Sequence, residues 1–122
     1  MAAPEPLSSV SFDQFTALDL RVATIKSAEP HPNADRLLKI QLDDGSQEGR
    51  QVCAGIKAWY EDPASLVGTQ VVIVANLEPR TIRGETSQGM ILAGSAMDES
   101  GEKGDVCVLR LDRPLPPGSK VS

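Results

Sequence analysis

The sequence predicts an all-β fold, either a barrel or a sandwich, and two observations support this class. Short apolar segments of about four to nine residues recur between turn residues, and helical periodicity is limited to one short stretch. The chain of 122 residues suffices for one domain and is too short for two comfortable ones. Apolar residues make up 40% and aromatic residues only 3%, so we expect a core of Val, Leu, Ile and Ala side chains.

Six segments are predicted to be strands because they are apolar or alternating and are bounded by turn residues. Alternation is clearest where Leu38, Ile40 and Leu42 are separated by polar residues, as in a strand with one solvated face. The run from 70 to 75 is continuously apolar and is expected to be buried on both faces. The predicted strands are 20–28, 38–43, 51–54, 70–75, 90–93 and 106–111.

One short helix is predicted near the N-terminus. Ser11 and Gln14 have the spacing of a capping box, and the helix is expected to end near Asp19. Its apolar face consists of Phe12, Phe15 and Leu18. Two roles for this face stay open, contact with a second chain or closure of the open end of the barrel.

The first ten residues are rich in Pro, Ala and Ser, and we expect residues 1–10 to form a flexible leader before a single domain at 11–122. The N-terminus lacks the pattern of a secretory signal or transit peptide, and no apolar run is long enough to cross a membrane. We therefore expect a cytoplasmic protein with no membrane contact.

Composition also argues against a metal, a cofactor and a catalytic centre. Cys53 and Cys107 are far apart and are interpreted as buried thiols, and His31 is the single histidine, which leaves no zinc-ligand set. Ser87 lies between two glycines at a spacing that does not fit a hydrolase nucleophile elbow. The paired carboxylates lie in predicted turns, where solvated acids are the rule. No catalytic residue, metal or cofactor is expected.

The net charge of −5 is atypical of general nucleic-acid-binding domains, which are usually basic. However, residues 1–19 contain three acidic residues and no basic one, so much of the acidic excess precedes the predicted barrel. The remainder of the chain is nearly balanced and can present a basic face.

The polar connector at 75–90 carries the clearest chemical signal. It joins two apolar strands and contains Arg80 and Arg83, whose planar guanidinium groups suit phosphate. Amides and a hydroxyl in the same segment can bond sugar or base edges, and Met90 adds an adaptable apolar contact. The alternative is a solvated loop in which these arginines pair with the neighbouring Glu78 and Glu85.

Seven motifs in this sequence, taken in order, resemble the OB-fold tRNA-binding domain family over residues 12 to 121. That family includes stand-alone dimeric bacterial tRNA-binding proteins and the C-terminal domains of many bacterial methionyl-tRNA synthetases. The motifs are Leu18-Asp19-Leu20-Arg21-Val22, His31-Pro32-Asn33-Ala34-Asp35-Arg36-Leu37, Gly55-Ile56, Leu66-Val67-Gly68, Ala75-Asn76-Leu77-Glu78-Pro79-Arg80, Arg83-Gly84 with Ser87-Gln88-Gly89-Met90, and Pro116-Pro117-Gly118.

The resemblance implies a five-stranded OB-fold barrel with a short added N-terminal helix and an extra C-terminal strand region. It implies a non-catalytic module that holds the outside corner of tRNA by shape, and the adenylate-site signatures of the synthetase are absent. Asn33 and Asp35 are expected to hold the first long loop through bonds to the backbone. The implied tRNA-binding residues are Asn76, Arg80, Arg83, Ser87, Gln88 and Met90, with Lys57 and Arg36 on a basic rim.

The chain departs from the family in charge, since many members are more basic. A homodimer would offset weak binding by doubling the contact surface, and the helix and the Pro-rich C-terminal segment are the candidate interface. An aminoacyl-tRNA synthetase is a further possible partner implied by the resemblance. One branch of the family resembles export-related chaperone dimers, so a protein-binding chaperone is the alternative function.

Overall fold

The structure, a computed structural model, describes residues 5–122. Residues 1–4 of the predicted leader lie outside the described residues. Residues 5–10 belong to no helix or strand and are exposed, and Leu7 keeps 94% of its surface.

The described chain contains one α-helix, two 3-10 turns and ten β-strands. The helix α1 spans Phe12–Thr16, and the 3-10 turns span Lys57–Trp59 and Pro63–Leu66. The strands are β1 Leu20–Pro30, β2 Leu38–Asp43, β3 Arg50–Ala54, β4 Gln70–Val74, β5 Arg80–Ile82, β6 Glu85–Ser87, β7 Met90–Ile91, β8 Ala93–Met97, β9 Lys103–Val108 and β10 Lys120–Val121.

The main sheet confirms the predicted five-stranded barrel. Its strands follow the order β3-β2-β1-β4-β7 and are antiparallel throughout, and they form a nearly closed barrel. The short β10 adds to β1 and provides the expected C-terminal strand. Two hairpins, β5–β6 and β8–β9, stand outside this path.

The core consists mainly of branched aliphatic side chains, as the low aromatic content predicts. In β2, Leu38, Ile40 and Leu42 are buried, which confirms the predicted alternation. In β4, Val72 is only half-buried, so the prediction that this strand is buried on both faces is only partly correct. Among residues 5–122, two polar side chains are buried with the core, those of His31 and Ser87.

The helix confirms its predicted start and rules out one of the two roles left open for its apolar face. Ser11 and Gln14 form both bonds of the capping box, but the helix ends at Thr16, three residues earlier than expected. Its apolar side chains remain exposed, at 77% for Phe12, 39% for Phe15 and 44% for Leu18. The idea that this face closes the barrel is therefore wrong.

Two strand predictions in the C-terminal half differ from the structure, and turn chemistry explains the first of them. The Asp98 carboxylate accepts hydrogen bonds from Ser100 and from the backbone of Glu102, which makes a compact turn. Residues 103–105 are therefore free to pair, and β9 runs over Lys103–Val108 instead of 106–111. The predicted strand at 90–93 divides at Leu92 into β7 and the start of β8.

The predicted burial of both thiols is wrong for Cys107 and only partly correct for Cys53. Cys107 is exposed on β9, Cys53 is half-buried on β3, and both are free. Burial raises the pKa of the Cys53 thiol, which keeps it protonated near neutral pH. Across residues 5–122, no helix has the length and apolar character needed to span a lipid bilayer.

Candidate nucleic-acid interface

The polar connector between β4 and β7 is a hairpin, which the sequence did not predict. Strands β5 and β6 pair in register, with Arg80 opposite Ser87 and Ile82 opposite Glu85. Arg83 and Gly84 form the two-residue turn, with φ values of 49° and 89°. Two successive positive φ angles are typical of the mirror-image turns that match strand twist. The Arg83 side chain is thereby exposed at the tip of a short, ordered hairpin.

The loop between β1 and β2 holds this hairpin tip. Buried His31 donates from Nε2 to the Ile82 carbonyl at 2.8 Å, and its Nδ1 accepts the backbone N–H of Asn33 at 2.9 Å. These two bonds fix the Nε2–H tautomer. The Asn33 amide donates to the Arg83 carbonyl at 3.3 Å. The Asn33 side chain thus bonds to backbone as expected, but to the hairpin and not within its own loop. The Asp35 side chain makes no hydrogen bond to any described residue, so that part of the expectation is wrong.

Three of the predicted cations follow one another along two adjacent clefts. Arg83 and Arg36 line one cleft of about 310 Å³, together with Asn33. Arg36 and Lys57 line a second cleft of about 360 Å³. Because Arg36 belongs to both, we call Arg83, Arg36 and Lys57 the cation row.

The alternative reading of the connector, with arginines paired to neighbouring glutamates, is not observed. Within residues 5–122 neither Arg80 nor Arg83 forms an ion pair with a carboxylate. Glu85 instead accepts from Lys39 at 3.0 Å, and Lys39 also reaches Glu29 at 3.2 Å. Bonds to Glu85 and then Glu29 raise the pKa of Lys39. Both arginines are exposed and available to a ligand.

Ser87 has a structural contact instead of an open surface. Its side chain is buried, its Oγ accepts the backbone N–H of Cys53 at 2.9 Å, and it donates to the Gly89 carbonyl at 3.2 Å. The single donor and one of the two acceptor lone pairs of this buried hydroxyl are therefore used inside the protein. The geometry joins β6 to β3, and it leaves no hydroxyl group for a ligand.

Gln88 combines an internal bond with an exposed group. The side-chain Oε1 of Gln88 accepts the backbone N–H of Gln51 at 3.0 Å, and the backbone N–H of Gln88 donates to the Gln51 carbonyl at 2.8 Å. The residue is exposed, and its side-chain nitrogen makes no hydrogen bond to any described residue. Gln88 thus extends the junction with β3 while keeping one donor for a ligand.

Asn76 and Met90 differ in whether their side chains are available to a ligand. The Asn76 carboxamide accepts from the Asp19 N–H at 2.8 Å and donates to the Ala17 carbonyl at 2.7 Å, so it ties α1 to the end of β4. Met90 lies on β7 opposite Val74 and is 48% exposed. The apolar contact is available, whereas the Asn76 amide is already engaged by backbone.

The sequence reasoning missed one organising residue, Arg50. Its guanidinium pairs with Asp44 at 3.0 Å and donates to the carbonyls of Ala75 at 3.0 Å and Gln88 at 2.6 Å. Burial raises the pKa of the Asp44 carboxyl, but hydrogen bonds from Ser46 and Arg50 outweigh burial and lower the pKa below its usual value. No local signal marks Arg50, because two of its partners are 25 and 38 residues away.

Comparisons with known proteins agree on one family. A family model described as "Putative tRNA binding domain" matches residues 20–120. The chain is 47% identical to the methionine–tRNA ligase of Bacillus subtilis (strain 168) over 115 residues, which are 94% of this chain and 16% of the ligase. It is 54% identical to the enzyme of Chlorobium limicola over 100 residues, which are 82% of this chain and 13% of the ligase. The chain thus spans about one-sixth or less of these relatives.

Two solved structures superpose on nearly the whole chain. A MetRS-related protein from Pyrococcus horikoshii superposes with a TM-score of 0.80 at 28% identity, over 95% of this chain and all of that one. The chaperone CsaA from Bacillus anthracis superposes with a TM-score of 0.78 at 33% identity, over 94% of this chain and all of that one.

Proposed function

This chain belongs to the tRNA-binding domain family, and from that premise we propose that it is a non-catalytic module that holds the outside corner of folded tRNA. The matched part of the methionine–tRNA ligases is a small share of each enzyme, and nothing in the matched region indicates a catalytic domain. Binding, not aminoacylation, is therefore the activity proposed for these residues.

The cation row carries the proposal. Arg83, Arg36 and Lys57 line two adjoining clefts, and within the described residues none of them is neutralised by a carboxylate at ion-pair distance. Guanidinium groups bind phosphate oxygens in pairs and in a fixed plane. Arg80 and Met90 are exposed nearby in the chain and extend the candidate surface.

The scarcity of aromatic residues supports a folded RNA over a single strand. Proteins that bind single strands stack successive bases on aromatic rings. Of the four aromatic residues here, Phe12 and Phe15 lie on α1, and Trp59 and Tyr60 are half-buried against the core, so no row of aromatic rings is available to stack successive bases. A folded RNA corner presents phosphates, 2′-hydroxyls and shape instead.

Filter binding of total tRNA across a salt series tests the proposal. Arg83→Ala and Arg36→Ala should each weaken binding and reduce the log–log salt slope by roughly 0.7–0.9, one phosphate contact each. Lys103→Ala, which removes a cation from β9, is the matched control and should leave the tRNA affinity and the salt slope unchanged. Hydroxyl-radical footprinting should show protection where the D and T loops meet. Salt-independent or absent tRNA binding would overturn the proposal.

A protein-binding chaperone is the second candidate function. The similarity to CsaA and the exposed apolar face of α1 favour it. A chaperone should suppress aggregation of an unfolded polypeptide at stoichiometric amounts, and Phe12→Asp should abolish this effect without changing tRNA affinity per site. Failure to suppress aggregation, together with salt-dependent tRNA binding, would decide for the first function.

We also propose a homodimer formed through α1 and the Pro-rich C-terminal segment. Phe12, Phe15 and Leu18 are exposed, and Leu115 in the C-terminal segment is 45% exposed. Two linked surfaces gain affinity through effective concentration, which offsets the net charge of −5. Light scattering should give twice the chain mass of 13.0 kDa. Phe12→Asp should give a monomer and Val67→Asp, an exposed apolar control, should not.

The relatives support a place in cytoplasmic protein synthesis, next to an aminoacyl-tRNA synthetase in the same or a separate chain. Such a partner would gain tRNA affinity from this module. Added to a methionyl-tRNA synthetase that lacks a similar domain, the protein should lower the tRNA KM and leave kcat unchanged. An unchanged KM would remove the synthetase as a partner.

A further inference from the structure

The larger cleft contains flat apolar walls that a row of phosphate-binding cations does not require. It lies between the β1–β2 loop and the two 3-10 turns, with a volume of about 360 Å³. Pro30, Pro63 and Tyr60 line it together with Arg36 and Lys57. This volume lies in the range of about 300–1,000 Å³ that holds small organic ligands.

The aromatic wall is fixed before any ligand arrives. The Tyr60 hydroxyl accepts the backbone N–H of Val108 at 3.0 Å, and the half-buried ring packs against the hydrophobic core. A ring held in this way loses little conformational freedom on binding, which favours stacking of a planar group against it.

The polar groups of the cleft define the rest of the ligand. Arg36 and Lys57 suit an anion, and Asp35 and Glu61 line the same cleft without forming an ion pair with either cation. An ionised carboxylate only accepts hydrogen bonds, so a complementary ligand carries N–H donors as well as an anionic group. Carboxylate side chains recognise the exocyclic amino group of cytosine in this manner.

We propose that this cleft binds one unstacked nucleotide of the bound tRNA, with an amino-bearing base against Tyr60 and its phosphate at Arg36 and Lys57. The inference rests on the proposed tRNA binding. Arg36 also lines the cleft of Arg83, so a strand whose phosphates follow the cation row passes the mouth of this cleft. Because Tyr60 is the one aromatic residue that lines the cleft, it accepts a single base and not a stacked run.

A blocked cleft tests the proposal within the tRNA complex. Ala58 is exposed and lines the cleft, so Ala58→Trp fills it without removing a charge. This variant should bind tRNA about tenfold more weakly with the wild-type salt slope. Ala64→Trp, an exposed alanine in the second 3-10 turn, is the matched control and should bind normally.

The two proposals fail in different ways. If Ala58→Trp binds tRNA normally while Arg83→Ala binds weakly, the nucleotide cleft is wrong and the tRNA function stands. If the wild-type chain does not bind tRNA, the proposed function is wrong. Thermal unfolding of Ala58→Trp and Ala64→Trp should show that both variants fold.

Mononucleotides give a second readout that needs only the wild-type chain. In amide chemical-shift titrations, CMP should shift residues 57–61 and bind at least about fivefold tighter than UMP, which lacks the amino group. Ribose 5-phosphate should leave Tyr60 unshifted. Equal binding of CMP and UMP would overturn the proposal, as would a short apolar peptide that shifts these amides when CMP does not, since that result assigns the cleft to polypeptide.

Discussion

The hydroxyl of Ser87 accepts the backbone N–H of Cys53 at 2.9 Å, and this bond joins strand β6 to strand β3. Strand β3 is the last strand on one side of the sheet path. Gln88 and Arg50 add further side-chain bonds across the same junction, beside one backbone bond from Gln88 to Gln51, so no continuous strand ladder attaches the hairpin to the barrel. Some residues of the connector therefore attach the hairpin to the barrel, and others are exposed at its surface.

Ser87→Ala should destabilise the fold, because the Cys53 N–H loses its partner in a half-buried place. We expect a loss of about 1–3 kcal/mol in the free energy of unfolding, measured by urea denaturation. Thr86→Ala, at the neighbouring exposed position of β6, should change it by less than about 0.5 kcal/mol. A Ser87→Ala variant of normal stability that binds tRNA tenfold more weakly would show that Ser87 is a contact residue.

Arg83→Asn should change stability and binding in opposite directions. Among the described residues Arg83 is the one non-glycine residue with a positive φ, and asparagine adopts that region more readily. The variant should gain about 1 kcal/mol in unfolding free energy and lose tRNA affinity with the guanidinium. A loss of stability would mean that the Arg83 side chain has a packing role that its exposure does not reveal.

Gly89→Ala should be strongly destabilising. A Cβ at this position would lie 2.6 Å from the Val74 carbonyl oxygen, and the φ of 126° is unfavourable for any side chain. We expect a loss above about 2 kcal/mol in thermal or urea unfolding. Gly94→Ala serves as the control, since its nearest neighbour would be 3.9 Å away and its φ is ordinary. Equal stability of the two variants would contradict the close approach of β4.

The ion pair between Asp44 and Arg50 should give an acid-sensitive contribution to stability. Since the pKa of Asp44 is lowered on folding, its contribution is complete above the ordinary value of 3.8 and is lost as the pH falls through the lower, folded value. Asp44→Asn should therefore cost about 1–3 kcal/mol at pH 7, and the difference from wild type should shrink below about pH 4.

Urea unfolding from pH 7 to pH 2 measures this difference. Bonds to Ser100 and Glu102 also lower the pKa of Asp98. Both proteins contain Asp98, so its contribution to stability cancels in the difference between wild type and variant. Asp112→Asn, at an exposed position, should change stability by less than about 0.5 kcal/mol at pH 7. A wild-type-to-variant gap that stays constant down to pH 2 would exclude the Asp44 carboxylate as its source.

The strands of the barrel were predictable because their signal is local. Alternating or continuous apolar runs mark β1 to β4, and Ser11 with Gln14 marks the start of α1. The β5–β6 hairpin was missed because each of its strands has three residues, most of them polar. Three residues are too few for periodicity to show.

Which connector residues bond to the barrel and which are exposed to a ligand depends on long-range contacts that leave no pattern in the sequence. Ser87 bonds a residue 34 positions away and Asn76 one 59 positions away, and neither spacing leaves a local pattern. The exposure of Phe12 was equally hidden, because a helix with one apolar face has the same sequence whether that face meets its own core or another chain.

The two backbone bonds made by the Asn76 amide have a geometric consequence for assembly. They join Ala17 and Asp19, which follow α1, to Asn76 just beyond β4, and so restrict bending between the helix and the barrel. If two chains meet through their helices, the distance between their two cation rows is set by the barrels and not by a flexible linker. Such a pair would hold two bound tRNA corners at a fixed distance from each other. Glycines inserted between α1 and β1 would change this distance while leaving both binding surfaces intact.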